Sequence, residues 1–308
     1  MPRPHANLAP ACAAAAKDVS IRLRWDCEGL HMPVRARYRA VFISDLHLGC
    51  GGTRASDAAR FLKRIECGTL YLVGDIIDMW RLKQRWHWPE ANNRVVNRIL
   101  KMARRGTRVV FIPGNHDEAA RRYAGLTFGG VEVALTAVHA AADGRSLLVT
   151  HGDQFDLVVR HARLLSVAGS WAYDWLVRLN FRYNWVRKRL GLEYWSLSQY
   201  VKLRVKSACN HISRFEEALL EDARRAGHAG VVCGHIHKAE FREGPVSYYN
   251  CGDWVESCTA LVEHLDGRLE LVDGLELIGR VDEMRRGVRM REEHMEVPGL
   301  ESGAFQSV

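Results

Sequence analysis

One recurrence constrains the fold of this chain more than any other feature. Five short apolar runs each end in a polar cluster built from Gly, Asp, Asn and His. AVFI leads into Ser44-Asp45-Leu46-His47, and TLYLV into Gly74-Asp75-Ile76-Ile77-Asp78. RVVFIP leads into Gly114-Asn115-His116-Asp117, SLLVT into His151-Gly152-Asp153, and GVVC into Gly234-His235-Ile236-His237. Short runs rich in Val, Ile, Leu and Phe read as buried strands. Gly, Asn and Asp are turn formers, so any one cluster is explained by a turn alone. Five in order are harder to explain that way, because ligand sites of open α/β sheets lie at the carboxyl ends of strands.

The segments between these runs supply helices. DAARFLKRIEC (Asp57 to Cys67) has helical spacing of its apolar residues, and NNRVVNRILKMARRG (Asn92 to Gly106) is a helix closed by a Gly. WRLKQRWHWP (Trp80 to Pro89) reads as a basic aromatic loop. VSYYNCG, TALVEHL and RLELV follow as strands with no long helix between them. A βαβαβ beginning and a β-rich end predict an α/β sandwich of two mixed sheets rather than a plain doubly wound sheet. The expected layout is a disordered leader over residues 1–35, one domain over 36–275 interrupted by a helical insert at about 154–215, and a charged tail over 276–308 with a short amphipathic helix. The Ala-rich N-terminus has no proper h-region followed by a cleavage site, and no apolar run approaches the ~18 residues of a membrane span. The eight cysteines form no CxxC pair. They read as reduced core thiols, which disfavours a cysteine-ligated zinc site and points to a cytosolic setting.

Charge is concentrated. Gln154 to Phe215 holds eleven Lys and Arg against three Asp and Glu, a surplus equal to the +8 of the entire chain. Such a segment suits a nucleic acid, an anionic membrane surface or a phosphate-bearing substrate.

Residues two apart on an extended chain point to one side, so Asp45 can converge with His47, and His235 with His237. Carboxylate and neutral imidazole without thiolate suit Mn, Fe or Zn. Two metals sharing one carboxylate need about seven or eight donors. Asp45, His47, Asp75, Asn115, His151, His235 and His237 supply seven.

The blocks DxH, GDxxD, GNHD, a later His with Gly, and GHxH, in that order between Val41 and His237, resemble the calcineurin-like metallophosphoesterases. The resemblance implies an αββα sandwich of two mixed sheets. It assigns Asp45, His47, Asp75 and His237 to one metal, and Asp75, Asn115, His151 and His235 to a second, with Asp75 bridging. The cofactors implied are two divalent ions about 3.5–4 Å apart, manganese first, with Fe, Zn or Mg as alternatives. His116 then binds no metal but assists the leaving oxygen, oriented by Asp78, while a hydroxide between the metals attacks phosphorus. Asp117 reads as a structural acceptor.

The insert carries Trp171, Tyr173, Trp175, Tyr183, Trp185, Tyr194 and Trp195, and Lys202, Lys206 and Asn210 recur every four residues. With Arg163, these are the expected substrate-binding residues of a lid suited to a diphosphate with greasy chains. The organisation resembles the UDP-2,3-diacylglucosamine diphosphatase branch of lipid A synthesis, which carries a helical lid at this point. That resemblance implies a phosphorylated lipid-nucleotide substrate, cleaved to UMP and a lipid monophosphate. It also implies a cytoplasmic protein touching the inner membrane peripherally, with nucleic acid disfavoured as a partner and the oligomeric state left open. The chain departs from that branch at His116, where those enzymes carry Arg, and at Asp78, where they carry Glu. A phosphodiesterase or nuclease of the same fold and a non-catalytic scaffold are the alternatives.

Overall fold

The computed structural model describes residues 34–155 and 215–295; the lid positions Arg163, Lys202, Lys206 and Asn210 lie outside the described residues. Two mixed sheets face each other. One has seven strands: β1 (Ala36–Ile43), β2 (Ile65–Val73), β3 (Arg108–Ile112), β4 (Thr127–Phe128), β5 (Val131–Val133), β11 (Thr259–Glu263) and β12 (Leu269–Asp273), in the order β12-β11-β1-β2-β3-β5-β4. The other has five: β6 (Ala137–Ala140), β7 (Ser146–Val149), β8 (Gly230–Cys233), β9 (Glu240–Arg242) and β10 (Ser247–Asn250), in the order β6-β7-β8-β10-β9.

The layering follows from strand periodicity. Ala40 and Phe42 of β1 enter the core between the sheets with Tyr71, Val110, Val149, Val232 and Tyr249. Val41 and Ile43 point the other way, into a core under the helices. That outer layer is built by α1 (Ala55–Arg64), α3 (Glu90–Arg104) and α5 (Gly274–Met295). Buried Ala55, Ala58, Phe61 and Leu62 form the inward stripe of α1; Val95, Ile99 and Met102 form that of α3. The five-stranded sheet is covered by α4 (215–225), through Phe215, Leu219 and Ala223 against Leu148, Val231 and Cys233. Each buried Val, Leu, Ile, Phe or Met side chain among these contributes about 1.5–3 kcal/mol. The result is the α-β-β-α layering expected from the sequence.

Three local readings change. The helix expected to run to Cys67 stops at Arg64, because Ile65 onward pairs in parallel with β1 from Ala36↔Ile65 to Ile43↔Leu72. The segment expected as a loop contains α2 (Met79–Gln84), started by Asp78, whose carboxylate accepts the Arg81 N–H at 2.9 Å. The charged tail begins as α5, whose Leu277, Ile278 and Val281 are buried in the core with α1. The boundary expected at 275 thus falls in the first turn of a packed helix.

A buried polar cluster joins the sheets. Glu263 of β11, fully buried, accepts the Ala142 N–H at 2.7 Å and lies 2.9 Å from His139 Nε2 and 3.1 Å from Arg39 Nε. Cys67, Cys233, Cys251 and Cys258 are buried free thiols. Burial pushes the Cys67 and Cys233 thiols up to about 12, so neither is a thiolate near neutrality.

Candidate metal centre

The loops after β1, β2, β3, β7 and β8 converge at one edge of the sandwich. Those after β1 and β2 are stitched together: Asp45 N donates to Gly74 O, His47 N to Asp75 O, Leu48 N to Ile76 O, and Asp78 N to Leu48 O, all at 2.8–3.0 Å. The backbone is strained where donors must turn inward. Asp45, His47, Asp75, His235 and His237 all have φ between 46° and 73°, the left-handed region that costs such residues about 1 kcal/mol or more each. Gly114 is required by close approach, because a Cβ there would sit 2.3 Å from Asp75 Oδ1 and 2.6 Å from His151 Nε2.

Three overlapping groups form: Asp45 with His47 and His237; Asp75 with His151 and His235; and His47 with Asp75 and His116. The first two lie inside the two sets expected from the sequence. Asn115 sits beside them, 7% exposed, with its Oδ1 buried and unpartnered.

The proton positions show what the site accommodates. His151 Nδ1 donates to Val73 O at 2.9 Å, since a carbonyl can only accept. Its Nε2, buried and without a hydrogen bond, lies 3.4 Å from Asp75 Oδ2. His47 Nδ1 faces Asp78 Oδ2 at 3.6 Å and His237 Nδ1 faces Asp253 Oδ2 at 3.6 Å, leaving their Nε2 atoms 3.2 Å apart. A carboxylate or carbonyl behind a ligating imidazole is the usual way its tautomer is fixed for a metal. Imidazole nitrogens, carboxylate oxygens and the Asn115 amide oxygen thus converge on one place, an N/O donor set that fits borderline-to-hard divalent ions. The same logic appears in the titrations. Burial opposes charge on His151, yet facing Asp75 raises it to about 10; burial likewise opposes charge on Asp75, yet His151, His116 and His47 hold its carboxyl below the usual range.

His116 differs from His47, His151, His235 and His237. Its Nδ1 lies 3.1 Å from Asp78 Oδ1, its backbone N–H donates to Asp75 Oδ1 at 2.8 Å, and its ring is a quarter exposed. Burial pulls its imidazole pKa down, but Asp78 and Asp75 raise it overall. One face is covered by Trp80 of α2, with ring centroids 4.1 Å apart. Asp117 is fully buried and touches no imidazole. Its carboxylate accepts from the backbone of Gly114 at 2.6 Å, Ile76 at 2.7 Å and Ile77 at 3.2 Å, so it clamps the GNHD turn to the GDxxD turn. Asp153 holds Arg121 through both oxygens at 2.7 Å, tying the GNHD arm to the HGD turn.

Two further residues join the site. Asp253, just after β10, backs His237. Trp80, in the segment read as a loop, covers one face of His116. A cavity of about 690 Å³ lies along α2, lined by Gly49, Cys50, Arg81, Gln84, Arg85 and His87, so two guanidiniums lie close in sequence to Trp80.

Comparison with known proteins gives three kinds of likeness. The calcineurin-like phosphoesterase pattern matches residues 38–239. A UDP-2,3-diacylglucosamine hydrolase of Ralstonia nicotianae is 30% identical over 128 residues, 40% of this chain and 47% of that protein, so the match spans about half the length of that relative. Among solved structures, a predicted phosphoesterase of Streptococcus pneumoniae has 13% identity and a TM-score of 0.32 over 76% of this chain and 88% of that one. Vps29 of Entamoeba histolytica has 13% identity and a TM-score of 0.35 over 76% and 98%. The pattern covers well over half of the chain and takes in every donor of the centre, and the chain accordingly belongs to the calcineurin-like phosphoesterase family of metal-dependent hydrolases.

Proposed function

We propose that this phosphoesterase hydrolyses the diphosphate of a UDP-2,3-diacylglucosamine-type lipid-nucleotide to UMP and a lipid monophosphate. The likeness to the Ralstonia hydrolase carries the substrate class. Arg81 and Arg85, which line a cavity along the helix that carries Trp80, support it as cations for the second phosphate of a diphosphate.

In this reading Asp45, His47, Asp75 and His237 hold one divalent ion, and Asp75, Asn115, His151 and His235 hold the other, with manganese the first candidate. Bound there, the ions supply charge neutralisation for the phosphate oxygens and a water-derived nucleophile at neutral pH. The chain's own groups do the rest. His116, charged through Asp78, presents Nε2 toward the centre and gives its proton to the departing oxygen as the P–O bond breaks. Trp80 restrains the ring, and Arg81 and Arg85 orient the phosphate that is not attacked. The insert residues Arg163, Lys202, Lys206 and Asn210 would clamp the lipid part, with the chain working at the cytoplasmic face of the inner membrane. Among the described residues no helix is long and apolar enough to cross a membrane, so that contact would be peripheral.

The test incubates purified protein and Mn with UDP-2,3-diacylglucosamine, alongside bis-p-nitrophenyl phosphate, with products read by mass spectrometry. UMP plus the lipid monophosphate is the expected result. Cleavage of the control diester alone would remove the lipid substrate and leave a phosphodiesterase of other specificity.

A further inference from the structure

Positive charge collects at a second place, at the opposite pole from the metal centre. The centre lies beyond the carboxyl ends of β1, β2 and β3. The eight residues of β1, roughly 25 Å at about 3.3 Å each, separate it from the strands' starting ends. There a cleft of about 850 Å³ opens between the start of β1, the start of β2 and the last turns of α3. Its walls carry Arg35, Arg37, Arg39, Arg98, Lys101 and Arg105, with Glu66 the one carboxylate in the lining.

That carboxylate is already engaged. Glu66 faces Arg37 at 3.6 Å, and Arg39 turns to Glu263. Among the described residues Arg98, Lys101 and Arg105 show no ion pair with a carboxylate, and the one carboxylate whose field Arg35 feels is Glu66. Arg98, Lys101 and Arg105 share one face of α3 by their spacing, so the helix presents them together. Arg35 Nε is buried without a hydrogen-bond acceptor, an uncommon state for a guanidinium nitrogen. The group feels the crowding: burial, then Arg105 and Arg98, push the Arg35 guanidinium below its ordinary range. Arg105 and Arg98 do the same to the Lys101 ammonium. Among the described residues, four like charges therefore surround a concave space whose one carboxylate, Glu66, faces Arg37.

We propose that this cleft is a second, non-catalytic binding site for a clustered-phosphate group. Guanidinium forks bind phosphate oxygens in pairs, and Arg35 supplies an inward donor that such a group would satisfy. The volume admits a ligand of nucleotide size. Clustered phosphate comes either from a soluble metabolite or from a lipid headgroup, and both present the same chemistry to these cations.

The test uses the full metal-loaded chain and its R98Q/K101Q/R105Q variant, with the single reversal K101E as a milder second. The probes are inositol 1,4,5-trisphosphate, followed by calorimetry, and vesicles of phosphatidylcholine with and without phosphatidylglycerol, followed by co-sedimentation. Turnover of bis-p-nitrophenyl phosphate should be unchanged in both variants, since the cleft is remote from the centre. Weakening of trisphosphate binding by roughly tenfold or more in the triple variant, and partly in K101E, supports the site and identifies a soluble ligand. Loss of anionic-vesicle binding, with no trisphosphate binding to either protein, supports it and identifies a headgroup. Equal binding of both probes by the triple variant and the unaltered chain overturns the proposal, as does binding of single-stranded RNA alone.

Discussion

Asp78→Asn tests how the His116 imidazole is held. Asp78 Oδ1 lies 3.1 Å from His116 Nδ1 and also caps α2 through the Arg81 N–H, while Oδ2 faces His47. Asparagine keeps an oxygen for the cap but removes the charge. Opposite charges about 3 Å apart attract by about 5 kcal/mol at an effective dielectric of ~20. Desolvation of a mostly buried pair offsets much of this, leaving roughly 1–3 kcal/mol. At about 1.4 kcal/mol per decade, turnover of bis-p-nitrophenyl phosphate at saturating Mn should fall about 10- to 100-fold. His116→Ala should cost about 10²-fold or more while both ions stay bound. Because Asp78 acts through His116, the double variant should be no slower than His116→Ala alone. The melting temperature of Asp78→Asn should change by no more than a few degrees, since the cap survives. The assay is steady-state kinetics with metal content by mass spectrometry. Losses that multiply in the double variant, or metal lost from His116→Ala, would refute this division of roles.

Asp75→Ala should abolish both turnover and metal binding, since Asp75 faces His151, His47 and His116 at once; retention of two ions by elemental analysis would contradict its bridging place. Gly114→Ala drives a methyl into Asp75 and His151, and overpacking of this kind costs about 1–3 kcal/mol; a lowered melting temperature and reduced metal content are expected, and unchanged values of both would count against the cradle. Glu263→Ala strips the acceptor from His139 and the Ala142 N–H; denaturant unfolding should show a loss of about 3–5 kcal/mol, with Glu263→Gln milder, and equal stability of all three forms would deny the cluster its role in joining the sheets. Arg81→Ala should raise KM for a diphosphate substrate several-fold more than for bis-p-nitrophenyl phosphate, and equal effects on both would exclude the cavity from substrate binding.

Much of the fold was legible because strand alternation and helical spacing are local signals. The continuous apolar run Ala40-Val41-Phe42-Ile43 reads as a strand buried on both faces, and its residues do alternate between the two cores. The residues gathered at this edge stand out in sequence because each follows an apolar run. What failed was whatever depends on partners distant in sequence. The α1–β2 boundary moved because β2 is extended by its pairing with β1, which overrides the helical spacing up to Cys67. The helix α2 was hidden by a dense mix of Trp, Arg and Lys, although Asp78 is a good N-cap residue. The contact of Asp253 with His237, and that of Trp80 with His116, arise only when separate loops fold against each other. The basic cleft was invisible for the same reason: its charges lie on two segments some sixty residues apart. By contrast, the net positive charge of Gln154 to Phe215 lies on one continuous segment and shows directly in the sequence.

The position of β1 in its sheet sets a schedule for biosynthesis. β1 pairs on one side with β2, which follows at once, and on the other with β11, as in Val41↔Val262, more than two hundred residues later. At about 5–20 residues per second, the free edge of this apolar strand waits roughly 10–40 s on the ribosome before its cover emerges. An open apolar edge is a template for pairing with other chains, so ribosome stalling before Thr259 should release aggregation-prone nascent protein. His235 and His237 are also made late, so the nascent chain cannot assemble the groups that gather at this edge until most of it has been translated.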